Sequence, residues 1–79
     1  MDPRQILAVN IRLLRYERRL SQEALAHEAG VDRSYMSKIE RGGTYAGLEI
    51  IAKLADILGV EPHEMLMPPP SRKTGETRN

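Results

Sequence analysis

Apolar residues recur at helical spacing in five stretches of this chain, with a capping residue near the start of each. The stretches predict helices over residues 2–19, 21–30, 32–42, 47–59 and 61–66. Side chains three and four residues apart share one face of a helix, so each stretch can turn an apolar face towards a common core. No alternation of β-branched residues predicts a strand. We therefore expect an all-α, compact five-helix fold.

The predicted core faces follow this spacing. The first helix has its N-cap at Asp2, followed by Pro3, and its expected core face is Leu7, Ile11 and Leu14. The fourth helix lies between an N-cap at Gly47 and an end at Gly59. Its expected core face is Leu48, Ile51, Leu54, Ala55 and Leu58.

The length of 79 residues suits one domain, which we assign to residues 1–67. Residues 68–79 begin with three prolines and continue without periodicity, so they are predicted to form a disordered tail. The sequence contains no Cys for disulfides or thiolate metal sites. Because no apolar run could span a membrane and the N-terminus does not resemble a signal peptide, we expect a cytoplasmic protein with no membrane partner.

Charge is distributed unevenly along the chain, although the formal net charge is only +1. Residues 1–41 contain eight Lys or Arg and six Asp or Glu, a net +2, whereas residues 42–70 contain one and four, a net −3. The tail from residue 71 again carries a net +2. The first half of the chain is therefore the better candidate for contact with a polyanion.

Residues 22–41 carry the most informative pattern in the sequence. Two short helices follow one another with only about three residues between them, including Gly30 at the turn. This is the layout of a helix-turn-helix unit. Ala26 is small where the second helix should face the third. Apolar residues stand where the helices should meet: Leu25, Val31, Met36 and Ile39.

The same stretch resembles the Xre or lambda-repressor-like helix-turn-helix family. The resemblance rests on Leu20-Ser21-Gln22-Glu23-Ala24-Leu25-Ala26, Gly30-Val31-Asp32-Arg33-Ser34-Tyr35-Met36-Ser37 and Ile39-Glu40-Arg41-Gly42, with Leu48-Glu49 and Leu58-Gly59-Val60 further on. It covers about residues 4–67. It implies a lambda-repressor-like domain that binds double-stranded DNA and regulates transcription, with the third helix in the major groove.

The resemblance also indicates which side chains contact DNA. Arg33 is a long donor suited to guanine O6 and N7. The base-contacting set is expected to be Arg33, Ser34, Ser37 and Lys38. The backbone-contacting set is expected to be Gln22, Tyr35, Arg15, Arg41 and Thr44.

Each of these roles has a structural alternative. Arg33 and Lys38 could be solvated charges, and Tyr35 could pack its ring on the domain instead of reaching a phosphate or a thymine methyl group. Glu40 is expected to be structural, because the resemblance implies that it pairs with Arg15. Asp32 is expected to cap the third helix.

The loop after the third helix departs from the family pattern. Many relatives have an Arg-Asn-Pro-Ser type of loop, whereas residues 43–47 here are Gly-Thr-Tyr-Ala-Gly. Because the basic residue and the proline are missing, we expect a more mobile loop with fewer charged phosphate contacts. Tyr45 could supply a hydroxyl group in their place.

The fourth and fifth helices carry more apolar residues than one small core needs. A large exposed apolar patch is a liability that a symmetric dimer removes. Two copies would bind palindromic operator half-sites about 34 Å apart. The expected homodimer interface is Ile50, Ile57, Leu58, Val60, Met65 and Leu66.

Other functions receive little support from the sequence. His27 and His63 lack companions at metal-ligand spacing, and we find no nucleophile–base pair and no phosphate-binding loop. We therefore expect no enzyme activity, metal, cofactor or small-molecule ligand. The alternative is a protein-interaction module of the same fold, such as an antitoxin-like partner, with little specific DNA binding. The regulator class itself leaves open a restriction–modification controller, a phage-type repressor, an antitoxin and a general regulator.

Overall fold

The computed structural model describes residues 2–69, which form four α-helices and one short 3₁₀ helix. The helices are α1 (Pro3–Glu17), α2 (Gln22–Ala29), α3 (Arg33–Glu40) and α4 (Leu48–Leu58), followed by the 3₁₀ helix Pro62–Leu66. The all-α prediction is confirmed, and the described residues contain no strand. The fifth predicted helix is the 3₁₀ turn. From residue 70 onward, the predicted tail lies outside the described residues.

The predicted helix caps are mostly confirmed. The Asp2 carboxylate accepts a hydrogen bond from the Arg4 backbone N–H at 2.8 Å, and the Ser21 hydroxyl accepts one from the Ala24 N–H at 2.9 Å. Asp32 has the extended backbone of an N-cap, with φ −65° and ψ 140°, but its side chain makes no capping hydrogen bond. Asp32 therefore occupies the N-cap position of α3, but its side chain does not cap the helix.

Thirteen apolar side chains from all five helical elements form one core. Leu7, Ile11 and Leu14 come from α1 as predicted, and Leu54 and Leu58 of α4 are fully buried. Leu48 is a wrong prediction, since it is 81% exposed. In α4, burial of the apolar face begins only at Ile51, so the first turn of the helix extends beyond the core.

Asn10 is a buried polar residue that the apolar pattern did not single out. Its side-chain amide donates to the backbone carbonyls of Met65 and Met67, both at 2.8 Å. A buried amide is tolerated only when it is hydrogen-bonded. Asn10 therefore ties the middle of α1 to the 3₁₀ helix and holds the end of the described chain against the core.

The end of α1 is unusual, because Arg19 adopts a left-handed backbone with φ +58°. Left-handed conformations are normally left to Gly, since a Cβ atom crowds the following carbonyl oxygen.

Within residues 2–69, no helix is long and apolar enough to cross a membrane.

Candidate nucleic-acid interface

The turn between α2 and α3 depends on Gly30. This residue ends α2 with φ +70° and ψ 30°, a left-handed conformation that Gly adopts without steric cost. The next N–H, that of Val31, closes the turn by donating to the Ala26 carbonyl at 3.0 Å. Ala26 itself is buried, as its small size predicted. The chain therefore reverses abruptly, and α3 is packed directly against α2.

One face of α3 is buried and the other is free for contact. Met36, Ile39 and Glu40 are buried against the domain. The four predicted base-contacting residues share the opposite side of the helix, where three of them are exposed and Ser37 is half-buried. Arg41 lies at the end of this side, and its guanidinium donates to the Ser37 hydroxyl at 2.9 Å. Helical spacing and burial thus bring together one polar, cationic surface.

Arg33 and Gln22 are in direct contact, although they lie on different helices. The Arg33 Nε donates to the Gln22 Oε1 at 3.1 Å, and its Nη1 lies 3.9 Å from the Glu23 carboxylate. The Arg33 side chain remains 61% exposed, so this contact contributes little to stability. The contact instead places Arg33, the predicted base contact, beside Gln22, the predicted phosphate contact.

The predicted pair of Arg15 and Glu40 is present and buried. The two side chains join through a fork of two hydrogen bonds, each 2.9 Å, and they are 11% and 3% exposed. Such a bidentate pair fixes orientation as well as supplying energy. Arg12 also donates to the Glu40 backbone carbonyl, a contact that sequence reasoning missed. Together these bonds hold α3 against α1.

Most of the Arg15 guanidinium is engaged within the fold. Its Nη1 donates to the Leu20 carbonyl at 3.0 Å, so three of the five N–H groups of the guanidinium serve the fold. Only about a tenth of its side chain is accessible. Two N–H groups remain, so the DNA-backbone contact of Arg15 stays a prediction alongside its role in the fold.

Tyr35 and Thr44 are both half-buried at the margins of the α3 surface. The Tyr35 ring packs against the apolar core, which is the structural alternative that the sequence left open. Packing of the ring is compatible with a hydroxyl that faces DNA, so its backbone contact stays a prediction. The backbone contact of Thr44 likewise stays a prediction.

The loop after α3 is contacted by the first turn of α1. The Arg4 guanidinium lies 4.5 Å from the centre of the Tyr45 ring and is also paired with Asp2 at 2.8 Å. Gly42 is close enough that an added Cβ would lie 3.6 Å from the Arg4 carbonyl oxygen. The hydrogen bonds between Arg4 and Asp2 lower the pKa of the Asp2 carboxyl and raise that of the Arg4 guanidinium. Pattern reasoning missed this contact, because it joins residues about forty positions apart in sequence.

Two of the six residues expected at a dimer interface are core residues instead. Leu58 and Met65 are fully buried within the single chain, so their side chains cannot face a partner. Ile50, Ile57 and Val60 are half-buried and Leu66 is 42% exposed. Each of these four retains some accessible apolar area, on α4 or on the segment that follows it. His27 and His63 are both exposed.

Comparison with known proteins gives a consistent result. A family described as a helix-turn-helix domain matches residues 6–66. A hypothetical transcription factor of Neisseria meningitidis serogroup B is 44% identical over 71 residues, which are 90% of this chain and 67% of that protein. The crystal structure of the hypothetical transcription factor NHTF from Neisseria superposes with a TM-score of 0.87 at 42% identity, covering 92% of this chain and 84% of the other.

A second solved structure comes from a restriction–modification system. The controller protein C.AhdI from Aeromonas hydrophila has 42% identity and a TM-score of 0.74, covering 78% of this chain and 94% of that one. The similarity therefore extends through α1 to α4 and is not confined to the two helices of the α2–α3 unit.

Proposed function

The chain belongs to the helix-turn-helix domain family, and from this premise we propose that it binds palindromic operators as a homodimer, with α3 in the major groove of each half-site. It is a DNA-binding transcriptional regulator, the role its relatives share. The observation that carries the proposal is the free face of α3, which is polar and cationic while the opposite face is locked into the core. A rigid helix that projects only polar side chains suits insertion between two DNA strands.

The proposal divides the surface by role. Arg33, Ser34, Ser37 and Lys38 read base edges, and Arg33 makes the most selective contact because a guanidinium can bond guanine at two atoms. The residues proposed to contact the DNA backbone and set the register of the helix are Gln22, Tyr35, Arg15, Arg41 and Thr44.

Dimerisation follows from the small size of one reading surface. Four side chains select few base pairs, so two copies on half-sites about 34 Å apart are needed for specificity. The accessible apolar residues that would join the copies are Ile50, Ile57, Val60 and Leu66. We propose that protein concentration controls binding, because two copies must assemble on the operator. A cytoplasmic location remains a prediction of this account.

A narrower candidate is a stand-alone controller protein of a restriction–modification system. It is favoured by the similarity to C.AhdI, 94% of which is covered by the matching part of this chain. The candidate predicts genes for a nuclease and a methylase beside the gene for this chain. A neighbouring toxin gene would favour an antitoxin instead.

The proposal is tested by selecting bound duplexes from a random pool and titrating the selected sequence with salt. Release of counterions should lower log K with a slope of about 0.9 for each phosphate contacted. On the selected sequence, Arg33→Ala should cost about 1–3 kcal/mol, whereas the loss on unrelated DNA should be much smaller. The matched control is Arg18→Ala, which removes the same charge from an exposed residue whose guanidinium lies beside Gly59 at the end of α4. Failure of the unchanged protein to prefer any duplex would refute the proposal.

A further inference from the structure

The loop at the C-terminal end of α3 contains no basic residue, yet a guanidinium lies beside it. Residues 43–47 are uncharged. Arg4, from the first turn of α1, occupies the space next to this loop, with its guanidinium 4.5 Å from the centre of the Tyr45 ring. Tyr45 is 68% exposed, so the stacked pair is on the surface. A cation from α1 therefore lies beside this uncharged loop.

We propose that Arg4 is a further DNA-backbone contact of this regulator and that the Tyr45 ring positions it. The inference rests on the proposed function and adds one residue on α1 to the α2–α3 surface. Gly42 links the two, because it directly follows the exposed Arg41 and lies against the Arg4 backbone. Arg4 therefore lies close to the end of the helix that enters the groove, next to the predicted backbone contact Thr44.

The hydrogen bonding of Arg4 leaves donors for a phosphate. The Arg4 Nε and Nη2 donate to the two carboxylate oxygens of Asp2, which among the described residues are the acceptors that the guanidinium bonds. A guanidinium has five N–H groups, so three remain for an incoming oxygen. The planar fork of Arg is well matched to phosphate, and its flat face can stay on the aromatic ring while its edge makes the contact.

Asp2 partly offsets the charge of Arg4, which shapes the expected effect. The pair is nearly neutral at a distance, so Arg4 should add little to long-range attraction. Its contribution should come at contact, where the guanidinium replaces a counterion condensed on the DNA phosphate. The Arg4 contact should therefore be visible in the salt dependence of binding and not in the preferred sequence.

The test compares four variants in salt titrations on a selected duplex. Arg4→Gln should reduce the salt slope by about 0.9 per bound protomer and weaken binding about tenfold at low salt, with the preferred sequence unchanged. Tyr45→Leu should cause a smaller loss of the same kind, whereas Tyr45→Phe should bind like the unchanged protein because it keeps the ring. In the Arg4→Gln background, Tyr45→Leu should cause no further loss.

The control is Arg18→Gln, which removes an exposed charge at the opposite end of α1, where the Arg18 guanidinium lies beside Gly59 at the end of α4. Neither Arg18 nor Gly59 belongs to the proposed DNA surface, so the salt slope of this variant should not change. Thermal melts establish that each variant is folded, and Arg4→Lys should restore the slope because it restores the charge.

The outcomes separate this inference from the proposed function. Equal slopes for Arg4→Gln and Arg18→Gln would overturn the Arg4 contact while leaving the α3 surface intact. A loss with Tyr45→Phe as large as with Tyr45→Leu would show that the hydroxyl, not the ring, contacts DNA. Absence of sequence-preferring binding by the unchanged protein would overturn both.

Discussion

Replacement of Glu40 by Gln should destabilise the domain strongly, because it leaves a buried guanidinium without its carboxylate. Glu40 is 3% exposed and joins Arg15 through two bonds of 2.9 Å. Gln has nearly the same shape and keeps one acceptor oxygen, so Glu40→Gln removes the charge while preserving the packing between α1 and α3.

The expected cost can be worked from this burial. Removal of one partner of a buried ion pair costs about 3–5 kcal/mol, since the other charge stays desolvated. The remaining amide oxygen can still accept one hydrogen bond from Arg15, which places the loss near the lower end, about 3 kcal/mol. At roughly 0.1 kcal/mol per residue, the whole domain has only about 7 kcal/mol of stability. The single substitution should therefore remove nearly half of it.

The free energy of unfolding should be measured by urea denaturation followed by circular dichroism. Glu28→Gln is the matched control, because Glu28 is exposed on α2 and its change should cost less than about 0.5 kcal/mol. Addition of Arg15→Met to Glu40→Gln should recover stability, since no buried charge then remains. A loss for Glu40→Gln equal to that of the control would refute the reasoning and show that the pair is screened by solvent.

Three further changes have clear expected outcomes. Arg19→Gly should raise stability by about 0.5 kcal/mol in thermal melts, because it relieves about 1–2 kcal/mol of left-handed strain while adding about 0.5–1 kcal/mol of unfolded-state entropy; a fall in melting temperature would contradict this. The pKa of Asp2 is lowered by Arg4, so its stabilising effect is present above its ordinary pKa and lost as pH falls through the folded value. Asp2→Asn, which keeps a good cap, should flatten the pH dependence of melting below about pH 4, and an unchanged acid limb would contradict it. Leu66→Glu should convert a dimer to a monomer in sedimentation experiments, whereas Leu48→Glu, at a Leu that is more exposed (81% against 42%), should not; equal effects would count against the proposed interface.

Local signals in the sequence were sufficient to predict most of the fold. Ser21 marks the start of α2 and Gly30 its end. The Ser21 hydroxyl and the left-handed Gly30 each satisfy backbone groups only a few residues away. Such preferences act at short range and do not depend on the rest of the chain. The pairing of Arg15 with Glu40 was anticipated only through the family resemblance, since nothing local links two residues on separate helices.

The errors of prediction share one physical origin. Periodicity identifies an apolar face but not what covers it, so Leu58 and Met65 were expected at an interface although the single chain buries them. For the same reason Leu48 was expected in the core, although it lies beyond the end of the packed surface. Asn10 and the Arg4–Tyr45 contact depend on long-range approach of separate segments, which no local pattern encodes.

The central claim is that α3 reads bases in the major groove through Arg33. Its most direct test is to select binding sites from the same random duplex pool with the unchanged protein and with Arg33→Ala. We predict a palindrome with half-sites about 10 base pairs apart, and loss of preference at one position in each half-site for the variant. Recovery of the same motif with undiminished preference by both proteins would contradict the claim.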